Sequence, residues 1–168
     1  WEQKARSLGF ADRRVSRIKP VAICSISKSR VLDVAFKPRF CDDGNSNANA
    51  ASTIDMQFVA VGVGFVKFVD FNGQTMKIRD TYMGRNGRCQ PFLSCAMTYD
   101  TTLVGAQDGS LYVFDNVSRS LIRIISNAHK SSINCLRIVQ EVDFDGLKTI
   151  RVVSGGKDST LRVWKSVG

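Results

Sequence analysis

The chain has 168 residues, of which 43% are hydrophobic, and it carries a formal net charge of +9. Its length suits a compact core, and no apolar run is long enough to cross a membrane, so we expect no membrane partner. The five cysteines are odd in number and form no Cys-x-x-Cys pair. This pattern argues against a disulfide framework and a zinc site, and it is typical of a reducing compartment. We therefore expect neither a metal nor a cofactor.

Positive charge is concentrated at the amino-terminal end. Residues 1–40 hold ten basic and three acidic side chains, a net +7 of the chain's +9. A basic surface attracts an acidic partner, and salt weakens that attraction. Nucleic acid is the poorer candidate, because Phe10 is the only aromatic residue between Trp1 and Phe36 and a stacking platform needs several. Alternatively, the imbalance only reflects acidic segments outside this chain. The candidate partner contacts here are Arg13, Arg14 and Arg17.

The first complete structural unit is predicted at residues 31–80. Before it, residues 21–26 alternate like a strand, so residues 1–30 are predicted to end a preceding unit. Its strand segments are predicted at residues 31–36, 58–70 and 76–78, the middle one being a hairpin. A polar stretch at residues 40–55 interrupts the unit, and we expect it to be a disordered surface loop.

Two further units follow, at residues 81–127 and 128–168. Their hairpins align at an offset of 50, with Asp108 on Asp158 and Phe114 on Trp164. Additional strands are predicted at residues 92–97, 121–125 and 133–139, with an acidic interruption at 141–148. Units of four short strands at this period are blades of a β-propeller.

The predicted fold is therefore all-β, a partial propeller of about three complete four-stranded blades plus part of a preceding one. The last unit, residues 128–168, is predicted to be truncated at its end. Closed propellers typically have about four to eight blades. We therefore expect this sequence to be part of a longer protein.

The last unit resembles a WD40 repeat through four residues: His129, Ser154, Asp158 and Trp164. In that family these positions form a hydrogen-bonded relay within one blade. Burial of an imidazole between a carboxylate and a hydroxyl leaves its nitrogens with partners. His129 is the only histidine, so no second one is present to share a catalytic or metal site. We predict a structural tetrad, whereas the unit around Asp108 has Phe114 in place of tryptophan and no histidine upstream.

The whole pattern resembles the echinoderm microtubule-associated protein-like family. The matching segments run in order at residues 31–38, 58–68, 82–88, 103–114, 128–130 and 155–158. The resemblance implies a non-enzymatic scaffold that binds tubulin or microtubules through its propeller. It also implies a cytoplasmic location on the cytoskeleton, including the ciliary axoneme. The insertion at residues 40–55 departs from the family, which has a short turn there.

The alternative function is a WD40 adaptor that presents a peptide-binding face in another assembly, such as a ciliary or ubiquitin-ligase complex. An enzyme is disfavoured, because residues 62–64 lie in a hairpin and do not form a dinucleotide fingerprint. A second group of candidate contacts surrounds the linker at residues 84–87, although an ordinary solvated connector would look the same. Its members are Lys77, Arg79, Arg85 and Arg88. Among the thiols, we expect Cys95 and Cys135 in the core and Cys89 at the surface.

Overall fold

The computed structural model describes residues 20–38, 56–142 and 148–165, with side chains except those of residues 140–142 and 148. Every regular element in these ranges is a β-strand, and the strands form three antiparallel sheets. The prediction of an all-β fold is confirmed. The basic residues Arg13, Arg14 and Arg17 and the insertion at residues 40–55 lie outside the described residues.

The first sheet contains four strands in sequential order: β1 (Val31–Phe36), β2 (Met56–Gly62), β3 (Phe65–Phe71) and β4 (Met76–Asp80). A two-residue turn joins β2 to β3, because Gly62 pairs with Phe65. Gly64 in this turn has a φ of 81°, a left-handed conformation that glycine adopts without strain. Residues 21–26, predicted as a strand, pair with no described strand, although their exposure alternates. A strand needs a neighbour for its backbone hydrogen bonds, and alternation by itself does not supply one.

The second sheet repeats this order with β5 (Phe92–Met97), β6 (Thr101–Ala106), β7 (Leu111–Asp115) and β8 (Leu121–Ile125). Its central turn is three residues longer than that of the first sheet, because Gly105 pairs with Leu111 and Gly62 with Phe65. The linker before this sheet approaches its last strand, where Tyr82 forms a parallel bridge with Ser120. The linker is therefore tied to the outer edge of the sheet that follows it.

The third sheet has three described strands in the order β11-β10-β9, not the four strands of its neighbours. They are β9 (Ile133–Val142), β10 (Lys148–Gly156) and β11 (Leu161–Lys165). The predicted interruption at residues 141–148 is shorter than expected, because Val142 pairs with Lys148 and the hairpin ladder continues to that point. Cross-strand backbone hydrogen bonds therefore extend beyond the apolar part of this hairpin.

The first strands of the three sheets, β1, β5 and β9, pack side by side. One core cluster lies between the first and second sheets and contains Phe68, Phe92 and Phe114. A second cluster lies between the second and third sheets, where Leu111 and Leu136 are fully buried. The second sheet is thus apolar on both faces and is covered on both, which is the packing of a blade between two others.

The outer faces of the first and third sheets remain uncovered by described residues. Phe36 is 57% exposed on β1, and Leu161 and Val163 are 76% and 63% exposed on β11. Cys135 pairs with Gly155, which pairs in turn with Leu161, so Cys135 lies on the same face of the sheet as Leu161. It is exposed, and the prediction that it belongs to the core is wrong. Cys95 is buried and Cys89 exposed, as predicted. The difference between the two strand cysteines arises because only the face that carries Cys95 has another sheet against it.

Leu111 and Leu161 occupy equivalent positions of two hairpins but differ in burial, which gives a matched test of the packing. Leu111→Ala should lower the free energy of unfolding by about 2–5 kcal/mol, because it leaves a cavity between two sheets. Leu161→Ala should change it by less than about 0.5 kcal/mol, because the side chain is already in water. Urea unfolding of the 168-residue chain measures both. Equal losses would show that another element covers Leu161 in solution.

Candidate functional site

The four predicted tetrad residues meet at the third sheet. Asp158 lies in the turn between β10 and β11, and its Oδ1 is 3.0 Å from Nδ1 of His129. Nε2 of His129 is 2.7 Å from Oγ of Ser154, which also accepts a hydrogen bond of 2.8 Å from Nε1 of Trp164. His129 and Ser154 are buried, with 1% and 0% exposure. The structure therefore brings all four together in one chain of hydrogen bonds.

Trp164 and Asp158, the two end members of this relay, set the direction of its hydrogen bonds. The indole N–H of Trp164 can only donate, and the ionised carboxylate of Asp158 can only accept. One assignment satisfies every member: Trp164 donates to Ser154, Ser154 donates to Nε2 of His129, and Nδ1–H of His129 donates to Asp158. The relay thus connects the strands β10 and β11 to the segment that precedes β9. A misplaced member leaves a buried polar group without its partner.

Asp158 receives further hydrogen bonds. The backbone N–H of Lys130 donates to Oδ2 at 2.9 Å, and the hydroxyl of Thr160 donates to Oδ1 at 2.8 Å. Burial by itself would raise the pKa of this carboxyl group, but the hydrogen bonds from His129, Lys130 and Thr160 outweigh it and hold the pKa well below its usual range. Asp158 is therefore a fixed anion at neutral pH.

Close packing around the relay requires glycine at residue 156. A Cβ atom there would collide with Nδ1 of His129 and Oδ1 of Asp158. The segment before β9 also links two sheets, because the N–H of His129 donates to the carbonyl of Gly109 in the turn of the second sheet at 2.9 Å. Within the third sheet, the carbonyl of Ser132 in this segment accepts the N–H of Lys157 at 2.8 Å. The relay thus positions the third sheet against the turn of the second.

Ser154, His129 and Asp158 have the hydrogen-bond order of a hydrolytic triad, but their setting does not suit catalysis. A nucleophilic hydroxyl must reach a substrate, whereas Ser154 is fully buried and already accepts the indole N–H of Trp164. Among the described residues, no cluster of three or more His, Cys, Asp or Glu side chains suits a metal ion. The described part of the chain also contains no helix that is long and apolar enough to span a membrane.

Gln90 has a comparable position in the second sheet, which the sequence analysis missed. Its Oε1 accepts the N–H of Asp108 at 3.2 Å, and its Nε2 donates to the hydroxyl of Tyr112 at 3.0 Å. Burial tends to raise the pKa of Asp108, but hydrogen bonds with Gln90 and Ser110 stabilise the carboxylate. The pKa is therefore lower than usual. An amide before β5 therefore connects the sheet's entry to its turn, as His129 does in the third sheet. No local pattern marks a lone glutamine for this role.

The four predicted basic contacts have different settings. Arg79 forms an ion pair with Asp70, with 3.3 Å between Nε and Oδ2, and Gln57 also donates to Asp70 at 2.8 Å. Lys77, Arg85 and Arg88 are exposed. Arg85 lines a cavity of about 250 Å³ together with Arg123 of β8, a residue that the sequence analysis did not select. Arg79 therefore has a structural partner, whereas Arg85 belongs to a surface groove.

The thiol of Cys95 is not a nucleophile candidate. Burial raises its pKa, and the neighbouring carboxylate of Asp33 raises it further. Asp33 itself accepts the backbone N–H of Cys95 at 2.9 Å, so it connects β1 to β5 across the sheet interface. The residue is a small core side chain, in agreement with the prediction.

Removal of the relay's central hydroxyl tests its contribution to stability. Ser154→Ala should lower the free energy of unfolding by about 1–3 kcal/mol, because it leaves the buried groups of His129 and Trp164 without their shared partner. Ser126→Ala removes an exposed hydroxyl and serves as the control. Urea unfolding measures both. A loss no greater than that of the control would contradict a structural role for the relay.

Acid titration tests the lowered pKa of Asp158. Because the pKa is lower in the folded state than its unfolded value of about 3.9, the carboxylate stabilises the fold above that value, and this contribution is lost as the pH falls below about 4. Asp158→Asn should be less stable than the natural chain near neutral pH. It should also lose less stability between about pH 6 and pH 2, as measured by urea unfolding at each pH. Parallel curves for the two proteins would contradict this assignment.

The comparisons with known proteins agree with this geometry. Residues 119–165 match the family model described as WD domain, G-beta repeat. The matched segment begins before β8, so the sequence repeat takes the last strand of one sheet and the three described strands of the next. No curated protein matches the chain by sequence.

Similar solved structures include the WD40 beta propeller domain of Doa1, with a TM-score of 0.55 at 17% identity. That match covers 82% of this chain and 38% of the Doa1 chain, so this sequence spans well under half of that propeller. Computationally designed Ika8 has a TM-score of 0.46 at 25% identity, with 66% of this chain and 30% of that chain covered. Ika4 has a TM-score of 0.44 at 18% identity, with coverages of 88% and 98%. The chain therefore has the all-β fold of WD40 propellers and carries a WD40 repeat at residues 119–165.

Proposed function

We propose that this chain is a scaffold that binds other proteins through rigid display, and that tubulin in microtubules is its partner. The WD40 fold supports the first part, since propellers of this class bind other proteins on faces formed by fixed loops and strands. The buried setting of Ser154 and His129 favours a structural over a catalytic use of the only histidine.

The observation that carries the tubulin proposal is the uneven charge. Residues 1–40 contribute +7 of the net +9, and exposed Lys77, Arg85 and Arg88 add cations at the described surface. Acidic tubulin tails are a partner of matching charge. The ordered motif resemblance to the echinoderm microtubule-associated family supports the same partner. The proposal includes a cytoplasmic location on the cytoskeleton, which extends to the ciliary axoneme.

A second candidate is an adaptor that captures peptides for another assembly. The observation in its favour is the presence of partly apolar cavities at the edge and between the sheets, where a peptide side chain could enter. The two functions differ in their dependence on salt. Binding dominated by exposed charges weakens steeply as salt rises, whereas capture of apolar side chains changes less.

Co-sedimentation with stabilised microtubules tests the tubulin proposal. The chain should pellet with microtubules at about 0.05 M salt and far less at about 0.3 M. Combined Arg13→Glu, Arg14→Glu and Arg17→Glu should weaken pelleting about tenfold at the lower salt. The matched control reverses three exposed basic residues around the third sheet, Lys130, Arg137 and Lys157, and should retain most of the binding.

Circular dichroism and urea unfolding establish that each variant is folded before pelleting is compared. If the folded natural chain stays in the supernatant at both salt concentrations, the tubulin proposal is wrong. Equal loss in the two triple variants would instead show that total charge matters and that residues 13–17 are not a specific contact.

A further inference from the structure

Two neighbouring cavities flank β8, and together they form what we call the β8 groove. The first, of about 250 Å³, lies between β8 and the linker residues Met83 to Asn86. The second, of about 490 Å³, lies between the second and third sheets and reaches Trp164. Arg123, at the middle of β8, lines both cavities. The groove lies within the described blades and does not depend on a sheet outside them.

The groove combines an apolar floor with basic side chains. Ile122 and Ile124 line the first cavity, and Leu103, Val113 and Val152 line the second. Its basic members are Arg85, Arg123 and Lys165, and its one acidic lining residue is Asp100. None of the three basic residues forms an ion pair within the described part of the chain, unlike Arg79 and Lys67, which do. The groove therefore presents cations that are available to an acidic ligand.

The backbone of β8 offers a second means of recognition. β8 is the last strand of its sheet, and the linker already pairs with its outer edge at one point. The N–H of Tyr82 donates to the carbonyl of Arg119 at 3.0 Å, and the N–H of Leu121 donates to the carbonyl of Tyr82 at 2.8 Å. Beyond Leu121 no described strand pairs with that edge. An extended peptide can continue this pairing by strand addition.

We infer that the β8 groove binds an extended acidic peptide with large aliphatic side chains. In an extended peptide, successive side chains point to opposite sides, so aliphatic residues can enter one cavity while the alternating carboxylates meet the basic residues of the other, Arg85 at the first or Lys165 at the second, with Arg123 common to both. The charge of the groove suits nucleic acid as well, but Trp164 is its only aromatic lining residue and is partly buried, which leaves no stacking platform. This site is separate from residues 1–40, and its occupation does not require microtubule binding.

Fluorescence anisotropy with a labelled peptide of alternating glutamate and leucine tests the inference. Arg123→Glu should weaken its binding by about fivefold, because attraction becomes repulsion at a residue that lines both cavities. Arg137→Glu is the matched control, since Arg137 is also an exposed strand arginine but lines neither cavity, and it should bind as the natural chain does. Ile122→Asn, at a position 58% exposed, should also weaken binding without loss of the fold.

Three further probes separate the contributions. A peptide of alternating glutamate and serine should bind more weakly, because it cannot fill the apolar floor. N-methylation should also weaken binding when it is placed on one of the two alternating sets of residues in the glutamate-leucine peptide, since only the N–H groups of one set face β8 in strand pairing. Both N-methylated peptides are therefore compared with the parent. A single-stranded thymidine oligonucleotide should bind no better than the serine-containing peptide.

The inference is wrong if Arg123→Glu and Arg137→Glu behave alike, or if both N-methylated peptides bind as well as their parent. Stronger binding of the oligonucleotide, with the same sensitivity to Arg123→Glu, would also overturn it and assign the groove to nucleic acid. All of these measurements use the isolated peptide or oligonucleotide without microtubules. Failure here therefore leaves the tubulin proposal standing, and failure in co-sedimentation leaves the groove standing.

Discussion

The sheets of this chain carry apolar side chains on both faces, and this requires each sheet to lie between two others. The second sheet meets the requirement, because Phe114 packs toward the first sheet and Leu111 toward the third. Burial of apolar area is the main favourable contribution to folding, whereas an isolated sheet would leave one or both faces in water. The side-by-side packing of β1, β5 and β9 follows from that requirement. Phe36 and Leu161 lie on faces that no described sheet covers, and their apolar side chains are exposed to water.

Stacked sheets also need a means of fixing their relative positions, since apolar contact is not directional. Hydrogen bonds between a hairpin turn and the entry to the next sheet provide it. The N–H of Gly64 donates to the carbonyl of Gln90, and the N–H of His129 donates to the carbonyl of Gly109. Each entry segment is then tied to its own sheet by a side chain, the amide of Gln90 or the imidazole of His129. Glutamine and histidine thus occupy equivalent positions in two sheets, because the side chain of each supplies a hydrogen-bond partner to the aspartate of its turn, Asp108 or Asp158.

The same arrangement explains where a ligand can bind. The first strands of the sheets pack closely, and a cavity remains farther out between the second and third sheets, close to β8. β8 is an edge strand, so its polar backbone and the side chain of Arg123 lie next to apolar positions that a complete cover would have buried. An edge of this kind promotes unwanted strand pairing unless charge or a linker protects it. The bridge at Tyr82 covers one point of this edge, and Arg123 places a positive charge beside the rest of it, where we infer that an acidic peptide binds.

The sequence by itself determined the hairpins, their turns and the identity of the tetrad, because these depend on local alternation, on glycine and aspartate in tight turns, and on a repeat offset of 50 that places Asp158 and Trp164. It did not determine the length of β9, the exposure of Cys135, the role of Gln90 or the setting of Arg123. A strand extends as far as its partner continues the ladder, so Val142 and Lys148 extended the third hairpin beyond its apolar pattern. Leu111 and Leu161 are the same residue in equivalent hairpins, yet only Leu111 is buried. Tertiary structure decided these features because burial and partnership depend on which sheet lies opposite, and that sheet is distant in sequence.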